Sequence, residues 1–509
     1  MPKPAAMLLG PDAADVRDRS RAWAHVTLVA TVLLAYGAVW TRGIQGDDVC
    51  MCELATLNGF WDAVHFWLHK WNGRLFLAVT QLGTYHLPWF ARPLDAPWYV
   101  LHALVLMGHI ATCALLLKLL WRAGVAVAPS LAAVLVLAIH PITFESVLWL
   151  AAGYGYVFGS LLTTLAVWTY LEFERSGRRG WLVLTAVFAL AATLGIEQFL
   201  PILGTLAIIH FVRARRRATG QPAWIPLAIV VGCAVVFLLI HFGLFPSSRG
   251  RIERATSIAE TAAGAGLLWR LAWWLSLLPD ASPWGGLMRG GIDTLRLLTW
   301  LPLLIVVAVV VAGWRMVSSS SWRRATASTG PAVHLWVVVT GLAVAAAAVL
   351  PFAFTGGYGV GRRNTYVMLP GLLVAGAAAL DALQLRMRPA LQRLTRYIMA
   401  PMVAAAVAVS IVIGIGAQAM LAQSWAFHRL LIGTVESHAY AIRSTGGLEL
   451  TVTSQRPYGA ISQMHYWAFP CLVRWVTDDA GVRAWISITP PDKRSRTPPG
   501  SHRIELEIR

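Results

Sequence analysis

The sequence predicts an all-α polytopic membrane protein with about 11 transmembrane helices, and three observations carry that expectation. Hydrophobic residues make up 57% of the chain and charged residues 13%, with a mean hydropathy of +0.61, whereas a soluble globule carries roughly 25% charge. Apolar runs of the length that crosses a hydrocarbon core, about 20 residues, recur along the chain. Arg and Lys gather in short clusters between those runs, as in FERSGRRGW, FVRARRRATG and LQLRMRPALQRLTR, which is the pattern of loops facing the cytoplasm.

The same clustering explains the formal charge of +18 without nucleic acid. An RNA-binding surface needs its basic residues on one soluble domain, and the sequence offers no such domain. The 24 Trp and 12 Tyr suit the aromatic belts at headgroup level. The lipid bilayer is therefore the first expected partner.

Residues 1–21 form a basic tail expected in the cytoplasm, followed by an apolar run without a small-residue cleavage site, hence an uncleaved first helix. Candidate spans lie at 22–41, 98–121, 130–147, 149–171, 181–195, 197–212, 224–243, 294–314, 332–351, 365–385 and 397–420. The stretch 181–212 is too long for one span, and basic clusters flank both ends. Two short helices turning near Gly195-Ile196-Glu197 satisfy both facts.

With every basic cluster inside, two long segments fall outside. The segment 43–97 holds a Trp/His-rich stretch and a short apolar run at 75–90, expected as a helix in the interface. The segment 244–293 is expected to hold a second Trp-rich interfacial helix. The membrane domain then covers 22–421, and 422–509 forms a small extracytoplasmic α+β appendage with strands at LELTVTS, RAWISI and HRIELEI. Cys50, Cys52 and Cys471 share one side, so a bridge from Cys471 to Cys50 or to Cys52 fits; Cys113 and Cys233 read as small core residues.

Directly after the first span comes GIQGDDVCMC. A carboxylate at the bilayer centre costs on the order of 3 kcal/mol, so Asp47 and Asp48 belong at or beyond the interface. Two readings stay open: a cap for a helix beginning at VCMCELATL, or a site. A carboxylate there can act as a general base or hold a divalent cation, Mg or Mn. Adjacent residues on a helix point about 100° apart, so the pair need not share one task. Further candidates are His140 and Glu145 in HPITFES, Glu197 before Pro201, and Arg74 in WNGRLF. Arg362 and Arg363, followed by Tyr366, lie outside before a late span, and a guanidinium grips phosphate with two parallel hydrogen bonds. Arg249, Arg251 and Arg254 form a second outer basic cluster, for which contact with lipid headgroups is the simpler reading.

An acidic pair after helix one, HP-x-x-x-E, a mid-chain Glu before a Pro, and an outer R-N-x-Y-x-x-x-P, in that order, resemble the GT-C superfamily of polytopic glycosyltransferases. The likeness is to the protein O-mannosyltransferase type and its bacterial relatives, and it spans about 22–420. It implies a polyprenyl-phosphate-linked sugar donor and an acidic residue of the first outer loop, Asp47 or Asp48, as catalytic base. It implies that Arg362 or Arg363 meets the donor phosphate, with Tyr366, His140, Glu145, Glu197 and Arg74 lining the substrate site. Two positions depart from the family pattern. Tyr154, which follows Gly153 in WLAAGY, is compared with an Arg of the relatives, and Ile196 stands where they carry Lys before the Glu.

The expected protein transfers a sugar to a glycan, a lipid-linked saccharide or a protein. It sits in a bacterial inner membrane with its amino terminus cytoplasmic and its active site periplasmic. A polysaccharide polymerase or ligase is one rival, and a transporter or flippase of lipid-linked saccharide is another. The latter predicts charged residues within spans.

Overall fold

Helix α1 (Pro11–Tyr36) realises the first apolar run and continues through a 3-10 turn at Val39–Thr41. Ala24, Leu28, Val32 and Ala35 are buried at helical spacing, while Trp23, Val26 and Leu33 point outward. Apolar residues on both faces suit a helix whose exterior meets lipid. The computed structural model describes residues 11–71, 74–217, 223–240, 275, 277, 284–297, 308, 331–353, 362–454, 468–489 and 502–508.

Between the first two long spans lie α2 (Asp47–Leu57), α3 (Phe60–Trp71) and α4 (Leu75–Tyr85). The run at 75–90 is a helix as expected, and its 11 residues reach only about 16 Å, too short to cross. It packs inward through Leu77, Leu82 and Tyr85. The helix that shows an exposed apolar face is α3, with Trp61 and Phe66 outward and Trp67 and Leu68 buried.

Then come α5 (Trp98–Arg122), α6 (Val127–Ile139), α7 (Phe144–Leu148), α8 (Leu150–Ala152), a π-helical turn at Gly153–Val157 and α9 (Phe158–Ser176). The expected span 130–147 is bent by 49° between Val127–Ile139 and Pro141–Leu148, because Pro141 has no N–H to continue the ladder. Next are α10 (Arg179–Gly195) and α11 (Phe199–Arg217), which turn at 196–198 as expected, then α12 (Ile225–Leu238). Helix α13 (Gly285–Leu297) is followed by α14 (Pro331–Ala353), α15 (Arg362–Arg386) and the 49-residue α16 (Pro389–Ser437). Helices α14 and α15 meet at Gly341 and Gly371, where a Cβ on either would come within 2.5–2.6 Å of the other's backbone. Small residues set the closest helix approaches in membrane bundles.

The expectation of 11 spans is corrected. Among the described residues, five helices are long and apolar enough to cross a membrane: Asp18–Thr41, Trp98–Arg122, Leu150–Ser176, Thr365–Arg386 and Pro401–Ser437, or six counting the bent pair. Arg179–Gly195, Ile225–Leu238 and Val333–Val349 are apolar but shorter, between 10 and 17 residues, and 17 residues rise only about 26 Å against a core of about 30 Å. Helix α11 ends in the basic cluster VRARRR. Most of the expected span 294–314 and of the segment 244–293, with Arg249, Arg251 and Arg254, lies outside the described residues.

Helix α16 runs unbroken through residue 422. After it come α17 (Ala439–Thr445), β1 (Gly447–Ser454), α18 (Ala468–Thr477), β2 (Arg483–Thr489) and β3 (His502–Ile508). All three expected strands form, in the order β2-β1-β3 with both pairings parallel. Parallel neighbours require a crossover, and α18 supplies it between β1 and β2. Leu448, Leu450 and Val452 alternate into the core of this unit.

Two covalent and ionic ties fasten α18 to α2. Cys50 and Cys471 form a disulfide with their Cα atoms 4.9 Å apart, so of the two expected pairings it is Cys50 that bonds and Cys52 that stays free and buried. Three residues along each helix, Arg474 grips Glu53 through Nε–Oε1 at 2.5 Å and Nη2–Oε2 at 3.2 Å.

A buried acidic turn as candidate active site

The turn into α2 is built by Gly46, whose φ of +49° lies in the left-handed region that favours glycine. Its neighbours Arg42, Ile44, Gln45 and Asp48 are all buried. The carbonyls leading into the turn are held from two distant helices. His102 Nε2 donates to the Gly43 carbonyl at 3.0 Å, and His428 Nδ1 donates to the Ile44 carbonyl at 3.0 Å. Trp425 covers Gly43 so closely that any side chain there would enter its ring.

Asp48 is 1% exposed. Its Oδ2 accepts the Gln45 N–H at 3.2 Å, and its Oδ1 accepts the Tyr85 hydroxyl at 3.2 Å. Gln81 Nε2 donates to the Tyr85 oxygen in turn, at 3.4 Å. Trp149 Nε1 donates to the Gln45 carbonyl at 3.1 Å, which ties the aromatic after α7 to the same turn. Burial, and then the Asp48 charge, push the Tyr85 hydroxyl well above its ordinary pKa, so it keeps its proton and remains a donor. The same two causes push the Cys52 thiol up.

At the opposite end of α4 from Tyr85, Arg74 and Glu197 form a bidentate pair, Nε–Oε2 at 3.0 Å and Nη2–Oε1 at 2.7 Å. Burial alone would lower the Arg74 pKa; the Glu197 carboxylate more than offsets it and the net shift is upward. Gly155 of the π turn lies against Ile196, where a Cβ would come within 2.6 Å of Ile196 Cδ1. Tyr154 Oη donates to Thr84 Oγ1 at 3.2 Å. Single-turn π bulges recur at functional sites, and this one brings the α4 and α10–α11 turns together. Glu197, which holds Arg74, follows Ile196 directly in sequence, while Tyr154 bonds at the other end of α4.

Arg42 was not expected from the sequence. Buried at 2% exposure, it donates through Nη2 to the Tyr36 carbonyl and, at 2.9 Å, to Gln418 Oε1. Its Nε and Nη1 have no partner among the described residues. Burial pulls its pKa down to about 9, which leaves it a cation at neutral pH.

Among the other expected residues, His140 and Tyr366 have described partners elsewhere in the bundle. His140 accepts the Ile142 N–H at Nδ1 and places Nε2 3.2 Å from the Leu275 carbonyl, at the break between α6 and α7. Glu145 is the second residue of α7 and partly exposed. Tyr366 is buried within the bundle, its hydroxyl 3.1 Å from His109 Nδ1, whose Nε2 faces the Ala138 carbonyl at 2.8 Å. Asp47 is the first residue of α2, and Arg362 and Arg363 open α15; the side chains of all three lie outside the described residues. Among the described residues, one group of three His, Cys, Asp or Glu ligand atoms comes together: Cys50, Glu53 and Cys471. Its two sulfurs are consumed by the disulfide, so it is no metal site.

Fold and site together define a mostly helical protein of membrane type with a buried acidic turn clamped between its helices and a small parallel sheet unit. No protein-family model matches the chain, and no curated protein matches it.

Proposed function

We propose that the protein is a membrane glycosyltransferase that moves a sugar from a polyprenyl-phosphate donor to an extracytoplasmic acceptor, a glycan, lipid-linked saccharide or protein. The observation that carries the proposal is the acidic turn. Both oxygens of Asp48 are engaged, by Gln45 and Tyr85, in a buried position at the start of a helix. Asp48 is thereby committed to holding the turn, and the adjacent carboxylate, Asp47, takes the role of base. This divides the pair into one acid that positions and one that reacts.

In the reaction, the acceptor hydroxyl gives its proton to Asp47 and its oxygen bonds to the anomeric carbon. The bond from that carbon to the phosphate oxygen breaks, and polyprenyl phosphate leaves as an anion. One displacement inverts the anomeric centre. Arg74, Arg362 and Arg363 are the cations that steady the departing phosphate. Arg74 supports this because its pairing with Glu197 holds a guanidinium at the residue next in sequence to Ile196, a position that lacks the family's cation. The Cys50–Cys471 bridge supports an extracytoplasmic site, since disulfides persist in oxidising compartments. The amino terminus then faces the cytoplasm of a bacterial inner membrane.

A second reading, transport of a lipid-linked saccharide, is favoured by one observation: His334 Nε2 and Asp381 Oδ2 lie 3.0 Å apart, both buried in the bundle. Ionisable residues inside membranes often mark transport paths. Sugar transfer by purified protein from radiolabelled polyprenyl-phosphate hexose or pentose separates the two. Movement of a labelled lipid-linked saccharide across proteoliposomes without transfer selects the second.

A further inference from the structure

Helices α5, α9, α10, α11, α12, α14 and α15 line a half-open cavity of about 380 Å³ that the acidic turn does not use. One end is marked by Ser160, Phe199 and Val367, and the other by Tyr170, His210 and Arg213. From Phe199 to His210 along α11 is about 16 Å at 1.5 Å per residue. That is close to half of a hydrocarbon core about 30 Å thick, so the cavity is one leaflet deep.

Its wall is apolar in effect as well as in composition. Leu116, Ile202, Leu206 and Val230 line it. The hydroxyls that border it donate to their own helices: Thr163 to the Gly159 carbonyl at 2.9 Å, Thr164 to Ser160 at 2.7 Å, and Thr340 to Trp336 at 2.7 Å. A hydroxyl spent in this way offers little to a polar ligand.

The His210 end is different. Arg213 lines the cavity there, and Tyr170 and His210 meet at 3.1 Å. Glu174 stands 3.6 Å from His210, and Glu172 is held by Arg122 and Arg175, each at 2.8 Å. Arg178, Arg179 and Arg215 are neighbours in sequence on the same helix ends. Arg122, Arg175 and Arg213 stand against Glu172 and Glu174, so this end is net positive. Basic pockets between membrane helices hold anionic lipid headgroups.

We infer that this cavity binds one anionic phospholipid, with an acyl chain along α11 and its headgroup phosphate at Arg213. The depth of one leaflet fits a chain that starts at the interface, and the net positive rim fits a phosphate with no compensating amine. The inference does not depend on sugar transfer. The headgroup end, at Arg213, lies at the far end of α11 from Glu197, about 21 Å beyond Phe199.

The test uses the full chain purified in mild detergent and stripped of endogenous lipid. Phosphatidylglycerol or phosphatidylcholine is added back, and bound lipid is counted by native mass spectrometry. The expected result is one phosphatidylglycerol per chain, retained with about fivefold preference over phosphatidylcholine, the size of one arginine–headgroup contact. Arg213→Glu removes the preference, and Leu206→Trp lowers retention of both lipids by filling the cavity. If either variant fails to fold, the comparison of the two lipids on the wild-type chain decides alone. Equal retention of the two lipids, an unchanged preference in a folded Arg213→Glu protein, or displacement of phosphatidylglycerol by polyprenyl phosphate overturns the inference.

Discussion

Tyr85 donates its hydroxyl hydrogen to Oδ1 of Asp48 across 3.2 Å, joining the last turn of α4 to the first turn of α2. The contact links residues 37 positions apart and leaves the Asp48 carboxylate pointing into protein rather than solvent.

Tyr85→Phe should therefore destabilise the protein while leaving its ring in place. A hydrogen bond to a charged group contributes about 1.5–3 kcal/mol, and a buried carboxylate that loses a donor sits at the upper part of that range. Thermal unfolding followed by tryptophan fluorescence measures the loss. An unchanged midpoint would mean that the Asp48 contact contributes nothing.

The bridge from Cys50 to Cys471 should hold the carboxyl-terminal unit to α2. Cys471→Ser is expected to cost about 2–5 kcal/mol, as removal of native disulfides does, and to speed proteolysis after α16. Alkylation checks the thiols. Cys52 is buried and its thiol is pushed up by burial and by Asp48, so at pH 8 it remains protonated and should stay unlabelled in the native protein. Labelling of Cys50 or Cys471 without reductant would contradict the bridge.

Arg74 and Glu197 should behave as a unit. In a double-mutant cycle with Arg74→Ala and Glu197→Ala, the pair's interaction energy is expected within about 0.5–3 kcal/mol. Arg74→Lys should fail to restore it, because an ammonium cannot reproduce the two parallel bonds. Additive single and double variants would show that the ion pair carries no energy.

The bundle was legible where its signal is continuous, while the span expected at 130–147 bends at His140-Pro141. Apolar runs announce their helices whatever surrounds them, and Pro141 forbids a straight one. The number of crossings was not legible, because a run of 14 to 17 apolar residues looks alike whether it crosses or ends within the bundle; α10 and α12 are of that kind. Sidedness allowed Cys471 to reach either Cys50 or Cys52, and only the packing of α18 on α2 selects between them. Asp48 stood out as a charge, but nothing in the residues near it names Tyr85, which sits on a helix expected at the interface rather than inside. Arg42 hid as an ordinary flanking arginine; its burial comes from Tyr36 and Gln418, the latter 376 residues away.

The central claim is the division of labour between the two aspartates, and one comparison tests it most directly. Membranes carrying wild-type, Asp47→Asn or Asp48→Asn protein are supplied with radiolabelled polyprenyl-phosphate sugar, and transfer is measured alongside thermal stability. The account predicts that Asp47→Asn lowers transfer by about 10²–10⁴-fold, the contribution of a general base, with its stability unchanged. Asp48→Asn is predicted to lower stability by about 1–3 kcal/mol as its buried partners lose their acceptor. Full transfer by Asp47→Asn at wild-type stability contradicts the account.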